Sequence, residues 1–132
     1  MNAPRDTRDE AARWLAYAEE DLATARMIMD ADGPLRQACT LAQQAAEKAL
    51  KAALVIDNQD PPRSHNLGRI LRLLSDDWSV KRLGLHLGVL SEWAVASRYP
   101  GDWEEPTRQE ADEALEAAGR VLQSILDEFQ DR

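Results

Sequence analysis

The residues able to do chemistry are few and widely spaced. Cys39 is the single cysteine, His65 and His86 are the two histidines, and Arg98-Tyr99-Pro100 joins a guanidinium to an aromatic ring. An arginine can clamp a phosphate through two parallel hydrogen bonds and a tyrosine can stack on a base. Arg98 and Tyr99 are therefore candidates for binding a nucleotide or RNA. A cation at a helix C-terminus also suits the helix dipole, which alone would account for Arg98. His65, within Arg63-Ser64-His65-Asn66, opens a predicted short helix. It is either a helix-start side chain bonded to backbone or a polar group beside an anionic ligand. Arg82 and His86 lie one helical turn apart and could share a face, most simply the polar side of a helix.

Other chemistries are excluded by what is missing. A di-iron centre in a helical bundle needs Glu-x-x-His pairs. Position 62 is proline and position 83 is leucine, so neither histidine has its partner. One cysteine and two histidines make a poor zinc set, and there is no glycine-rich phosphate loop. No metal and no cofactor are expected. Cys39 cannot form an internal disulfide, and its neighbours in helical register are small and apolar. A buried small hydrophobe is expected there rather than a nucleophile.

The chain of 132 residues carries a net charge of −8, which argues against a surface that coats nucleic acid. The charge is uneven. Residues 63–98 hold six Lys/Arg against three Asp/Glu, while the remainder holds ten against twenty-one. An anionic ligand should meet the middle third, although solvated helix faces account equally well for most of these cations. No apolar stretch approaches the ~20 residues needed to cross a bilayer. The start, MNAPRDTRDE, lacks the apolar core of a secretory signal, so a cytoplasmic location without membrane contact is expected.

Helices must position these side chains. Leu35 to Ile56 contains no glycine or proline, and its residue types favour helix. Leu35, Cys39, Ala42, Ala46, Ala49, Ala53 and Ile56 form one face of mostly small residues that a neighbour can approach closely. This predicts the central helix of a bundle. Glu47 and Lys51 form a helix-supporting pair on another face, explicable by solubility. A first helix is predicted over 8–31, opened by a Thr7–Glu10 capping box and stopped by Asp32-Gly33-Pro34. Pro34 suits the first position of the second helix, which should end near Asp57.

Residues 58–64 read as a turn, and Leu67, Ile70, Leu71 and Leu74 as a short third helix. A fourth is predicted from Ser79 to Arg98, with Leu83, Leu87, Leu90 and Ala94 inward and Gly84 and Gly88 permitting close packing. After an acidic linker at 100–106, a Thr107–Glu110 capping box opens the last helix. Its inner face is Ala111, Leu115, Ala118, Leu122, Ile125 and Phe129. No alternating β-branched pattern competes. The expected fold is all-α: one domain over 1–132, an up-and-down antiparallel four-helix bundle with an additional short helix. With 5% aromatic residues and alanine-rich faces the core is thin, so an apolar face should remain for a second copy.

In this order, Trp14 and Asp21-Leu22, then Gln43-Gln44-Ala45-Ala46-Glu47-Lys48-Ala49-Leu50-Lys51-Ala52, His65-x-Leu67, Arg98-Tyr99-Pro100 and the alanine-rich last helix resemble the HEPN domain family. The resemblance spans nearly the whole chain, and the Gln43–Ala52 block is its most specific part. It implies a homodimeric helical bundle, often paired with a minimal nucleotidyltransferase in a toxin–antitoxin-like system. Nuclease members cleave RNA without metal, through an arginine and a histidine four to six residues later. Arg98 is the positional candidate for the arginine, but Trp103, Glu104 and Glu105 stand where the histidine belongs. The expected function is therefore a nucleotide- or RNA-binding, or nucleotidyltransferase-partner, module with Arg98, Tyr99 and His65 as ligand-binding candidates. The alternative is a metal-independent ribonuclease toxin using Arg98 and a non-standard histidine, His65 first.

Overall fold

The computed structural model describes residues 5–96 and 104–132, so Arg98, Tyr99 and Pro100 lie outside the described residues. The expected centre holds. Helix α2 (Leu35–Ile56) is packed by α1 (Arg5–Asp30), α3 (Leu67–Leu73), α4 (Leu87–Ala96) and α5 (Arg108–Phe129). Cys39, Ala42, Ala46, Ala49 and Ala53 are all fully buried, which lets the neighbouring backbones come close. Burial pushes the Cys39 thiol up to about 11, with the charge of Glu110 adding to the effect. That thiol is packing, not a nucleophile.

The direction of each helix follows from contacts at its ends. The turn at 31–34 folds α1 back antiparallel to α2. Arg108, at the start of α5, reaches Asp32 beside the start of α2 at 3.0 Å, and Arg132 lies 3.9 Å from Asp57 at the end of α2. Helix α5 therefore runs parallel to α2 and antiparallel to α1, as an up-and-down bundle requires. The Thr107–Glu110 capping box opens α5 as predicted, each residue bonding the other's backbone N–H. Among the described residues all regular structure is helical, with α3 and a 3₁₀ turn at Ser79–Arg82 in the long connection between α2 and α4.

Four expectations need correcting. Thr7 does not cap α1, which already includes it: Arg8 donates to the carbonyls of Phe129 and Arg132 and lies 4.7 Å over the Phe129 ring, pinning the first turn to the end of α5. Pro34 is the N-cap of α2 and not its first residue. The fourth helix begins at Leu87, not Ser79. Gly84, at φ +68°, turns the chain between the 3₁₀ turn and α4, and no neighbour would meet a Cβ at Gly84 or Gly88. These glycines do not mediate close packing; Gly84 supplies a left-handed turn. Four neighbours cover most of α2. The large exposed apolar side chains among the described residues, Tyr17, Met27, Leu73 and Val89, are spread over α1, α3 and α4.

Candidate functional site

Residues four apart on a helix stack in a column, and on α2 the column Gln43, Glu47, Lys51 is polar. All three side chains are buried, the only polar or charged ones so placed among the described residues. They converge on the Glu47 carboxylate. Gln43 donates to its Oε1 at 2.9 Å, Lys51 Nζ to its Oε2 at 3.0 Å, and His65 Nδ1 lies 2.9 Å from Oε1. Burial alone would push the Glu47 carboxyl up. The hydrogen bonds from Gln43, His65 and Lys51, with the Lys51 charge, outweigh burial and hold it below the ordinary carboxylate range. Glu47 is therefore ionised at neutral pH and can only accept, which places the shared proton on His65 Nδ1.

His65 is gripped at two points. Its ring meets Glu47, and its backbone carbonyl accepts from Gln43 Nε2 at 3.3 Å. The next residues complete the mount. Asn66 caps α3 by accepting from the Arg69 N–H, and the Leu67 N–H donates to Ser91 Oγ on α4 at 2.9 Å. Leu67 and Ile70 anchor α3 in the core. The His65 side chain nevertheless remains 48% exposed. A buried, ionised carboxylate thus fixes the tautomer and direction of an imidazole that meets solvent, a geometry suited to hydrogen bonding an anion or moving a proton.

The column continues toward α1. Lys51 Nζ lies 6.0 Å from the Trp14 ring centroid and Lys48 Nζ 5.9 Å from that of Tyr17, with Lys48 also bonded to Asp21 at 2.6 Å. His86 is elsewhere. It lines a groove of about 350 Å³ between α4 and α5 with Trp93, Glu110 and Glu113. Arg82 is held by the Asp76 carbonyl and Ser79 Oγ on the near side of the Gly84 turn, and His86 lies beyond it, so the two do not share one helix. Of the ligand-binding candidates Arg98, Tyr99 and His65, only His65 is among the described residues, and it is set in a built polar site. Sequence reasoning does not find Gln43, Glu47 and Lys51 as its support. The signal is nonetheless present: polar residues at 43, 47 and 51 form a single column on a helix otherwise made largely of alanine and leucine.

Comparison with known proteins agrees with this architecture. A model of the HEPN domain matches residues 11–128. The chain is 31% identical to "Putative toxin MJ1304" of Methanocaldococcus jannaschii, with 89% of this chain and 86% of that protein covered. The crystal structure of TT1696 from Thermus thermophilus is similar with a TM-score of 0.76 at 29% identity, covering 89% of this chain and 96% of that one. The crystal structure of ST0689, an archaeal HEPN homologue, follows at 0.70 and 28%, covering 90% and 97%. With the family model spanning the bundle from α1 to the end of α5, this chain belongs to the HEPN domain family.

Proposed function

We propose that this chain is a toxin-like HEPN module that binds RNA or a nucleotide through phosphate, with His65 as the ligand-facing group and Arg98 and Tyr99 contributing from the segment after α4. It acts as a homodimer, with a nucleotidyltransferase as its partner. The toxin-like context rests on the similarity to the Methanocaldococcus jannaschii protein. The observation that carries the ligand site is the buried Gln43–Glu47–Lys51 column that grips a half-exposed imidazole. Burying an ion pair costs desolvation that its attraction does not reliably recover, and apolar replacements of similar volume are often neutral or stabilising. A column kept at that cost, and ending on one solvent-facing ring, is best understood as serving that ring.

Titration of a labelled single-stranded RNA and of a nucleoside monophosphate into wild type, His65→Ala and Arg98→Ala tests the site. Each substitution should weaken binding about tenfold or more, as loss of one charge-assisted contact does. Equal binding by all three proteins would remove the assignment. Light scattering at micromolar concentration should give twice the chain mass, and a monomer would remove the dimer. Where an adjacent reading frame encodes a minimal nucleotidyltransferase, its co-expression with this chain should yield a complex, and separate elution would remove that partner.

One observation favours a second reading, a metal-independent ribonuclease. The Glu47 carboxylate on His65 Nδ1 orients the ring as it would be oriented in a general base. RNA cleavage in EDTA that disappears in His65→Ala and Arg98→Ala, but persists in His86→Ala, would establish it. Cleavage surviving in His65→Ala would exclude this histidine from the chemistry.

A further inference from the structure

The cations of the middle third are not equivalent once folded. Lys81 is tied to Asp76 at 3.0 Å and to the Leu74 carbonyl, and Arg82 to the Asp76 carbonyl and Ser79. Arg63, Arg69 and Arg72 are different. All three are exposed, and among the described residues none of their guanidinium groups has an ion pair or hydrogen bond. No acid occurs from Pro61 to Ser75, and of the two that bracket this stretch, Asp60 and Asp76, the second is engaged by Lys81. In a chain of net charge −8, this leaves a local positive field on α3 and the residues leading into it. His65 lies within that stretch, between Arg63 and Arg69.

We propose that Arg63, Arg69 and Arg72 form a track for consecutive phosphodiesters of an RNA strand, running past His65. The proposal deepens the reading of His65 as the ligand-facing group and rests on it for the strand's destination. Arg69 and Arg72 sit three apart on α3, adjacent on its surface, while Arg63 precedes His65 in the lead-in. A mononucleotide carries its charge at one point and cannot engage cations distributed from the lead-in to the last turn of α3. A strand can. Contacts of this kind position a polyanion without reading its bases, so the track holds RNA while His65 addresses one phosphate.

Fluorescence anisotropy across a salt series, with a short labelled single-stranded RNA, tests this on wild type, His65→Ala and the triple variant Arg63→Gln/Arg69→Gln/Arg72→Gln. All three arginines are exposed, so circular dichroism and the thermal midpoint of the triple variant should match wild type. Its RNA affinity at low salt should fall at least tenfold, and the slope of log affinity against log salt should shrink by about 2, at ~0.7 per lost phosphate contact on a single strand. Its affinity for a nucleoside monophosphate should not change. An unchanged RNA slope overturns the track, and so does equal loss for RNA and mononucleotide, which would mean a point site. Inorganic polyphosphate competing as well as RNA at equal phosphate concentration overturns the assignment to RNA. If His65→Ala binds both ligands like wild type, the ligand reading of His65 fails; the salt slope of the triple variant still decides the track separately.

Discussion

Two polar clusters flank α2, and they are built on opposite principles. Beyond its C-terminal end, the fully buried Trp78 donates from Nε1 to Asp57 at 3.0 Å, and Arg132 lies 3.8 Å over its ring. Glu128 accepts from the Ser79 N–H at 2.6 Å and pairs with Arg132 at 3.3 Å. Asn58, at φ +61°, closes the helix, and the Gln59 N–H bonds back to the Leu54 carbonyl at 2.9 Å. This cluster joins the end of α2, the 3₁₀ turn and the end of α5, and its centre is a large apolar ring. Along the flank of the same helix, Gln43 and Lys51 converge on the buried Glu47 carboxylate, and Glu47 and Gln43 together hold the half-exposed His65. The first cluster holds the fold together. The second holds one side chain.

That contrast sets the size of each expected effect. Trp78→Ala should be the most damaging substitution, costing about 3–5 kcal/mol for a fully buried tryptophan, read as a lower urea midpoint. Asp57→Ala should cost less, about 1–3 kcal/mol, because it strands the indole N–H of Trp78 in the core while leaving the ring packed. If either variant unfolds like wild type, the Trp78 cluster is not the clamp described.

Acid should reach both clusters. Glu47 and Glu128 are both held below the ordinary carboxylate range: burial opposes this, while bonds from Gln43, His65 and Lys51 to the first, and from Ser79 and Arg132 to the second, prevail. A depressed carboxyl stabilises fully above its unfolded value of about 4.3, and that stability is lost as pH falls through the folded value. Stability should therefore be level through neutral pH with respect to these two groups and fall below about pH 4. In Glu47→Gln and in Glu128→Gln the acid loss should be shallower than in wild type, and an unchanged acid limb would remove the corresponding contribution.

His65→Ala should be the mildest in stability, within about 0.5–1 kcal/mol, since the ring is half in solvent and Glu47 keeps its bonds from Gln43 and Lys51. Urea unfolding checks it, and a loss as large as that of Trp78→Ala would make the second cluster another clamp.

The same contrast explains how much can be read from the chain. The small-residue face of α2 and the Thr107 capping box are local patterns with one physical meaning each, and both appear where expected. The Glu47–Lys51 pair is legible as a pair, but its spacing alone suggests a solvated face where the structure has a buried one. Periodicity finds the most apolar face of a helix; it does not say that four neighbours cover the others too. Gly84 reads as helical because a lone glycine within a leucine pattern costs only about 1 kcal/mol, whereas its φ of +68° turns the chain and is not announced by that pattern. The Trp78 cluster joins residues up to 75 positions apart, Asp57 to Arg132, and no local spacing announces it. His65 is legible as a candidate from its place at the start of α3, but its grip by α2 spans 18 residues and emerges only in the fold.

The α2 column serves His65 and adds no net stability over an apolar replacement of similar volume. The double variant Glu47→Met/Lys51→Met tests this most directly, with urea unfolding and RNA anisotropy measured on the same preparation. Removing both buried charges together should leave the unfolding free energy unchanged or raise it by about 1–4 kcal/mol, while RNA affinity falls to the level of His65→Ala. A variant that is clearly less stable yet binds RNA like wild type would contradict the account.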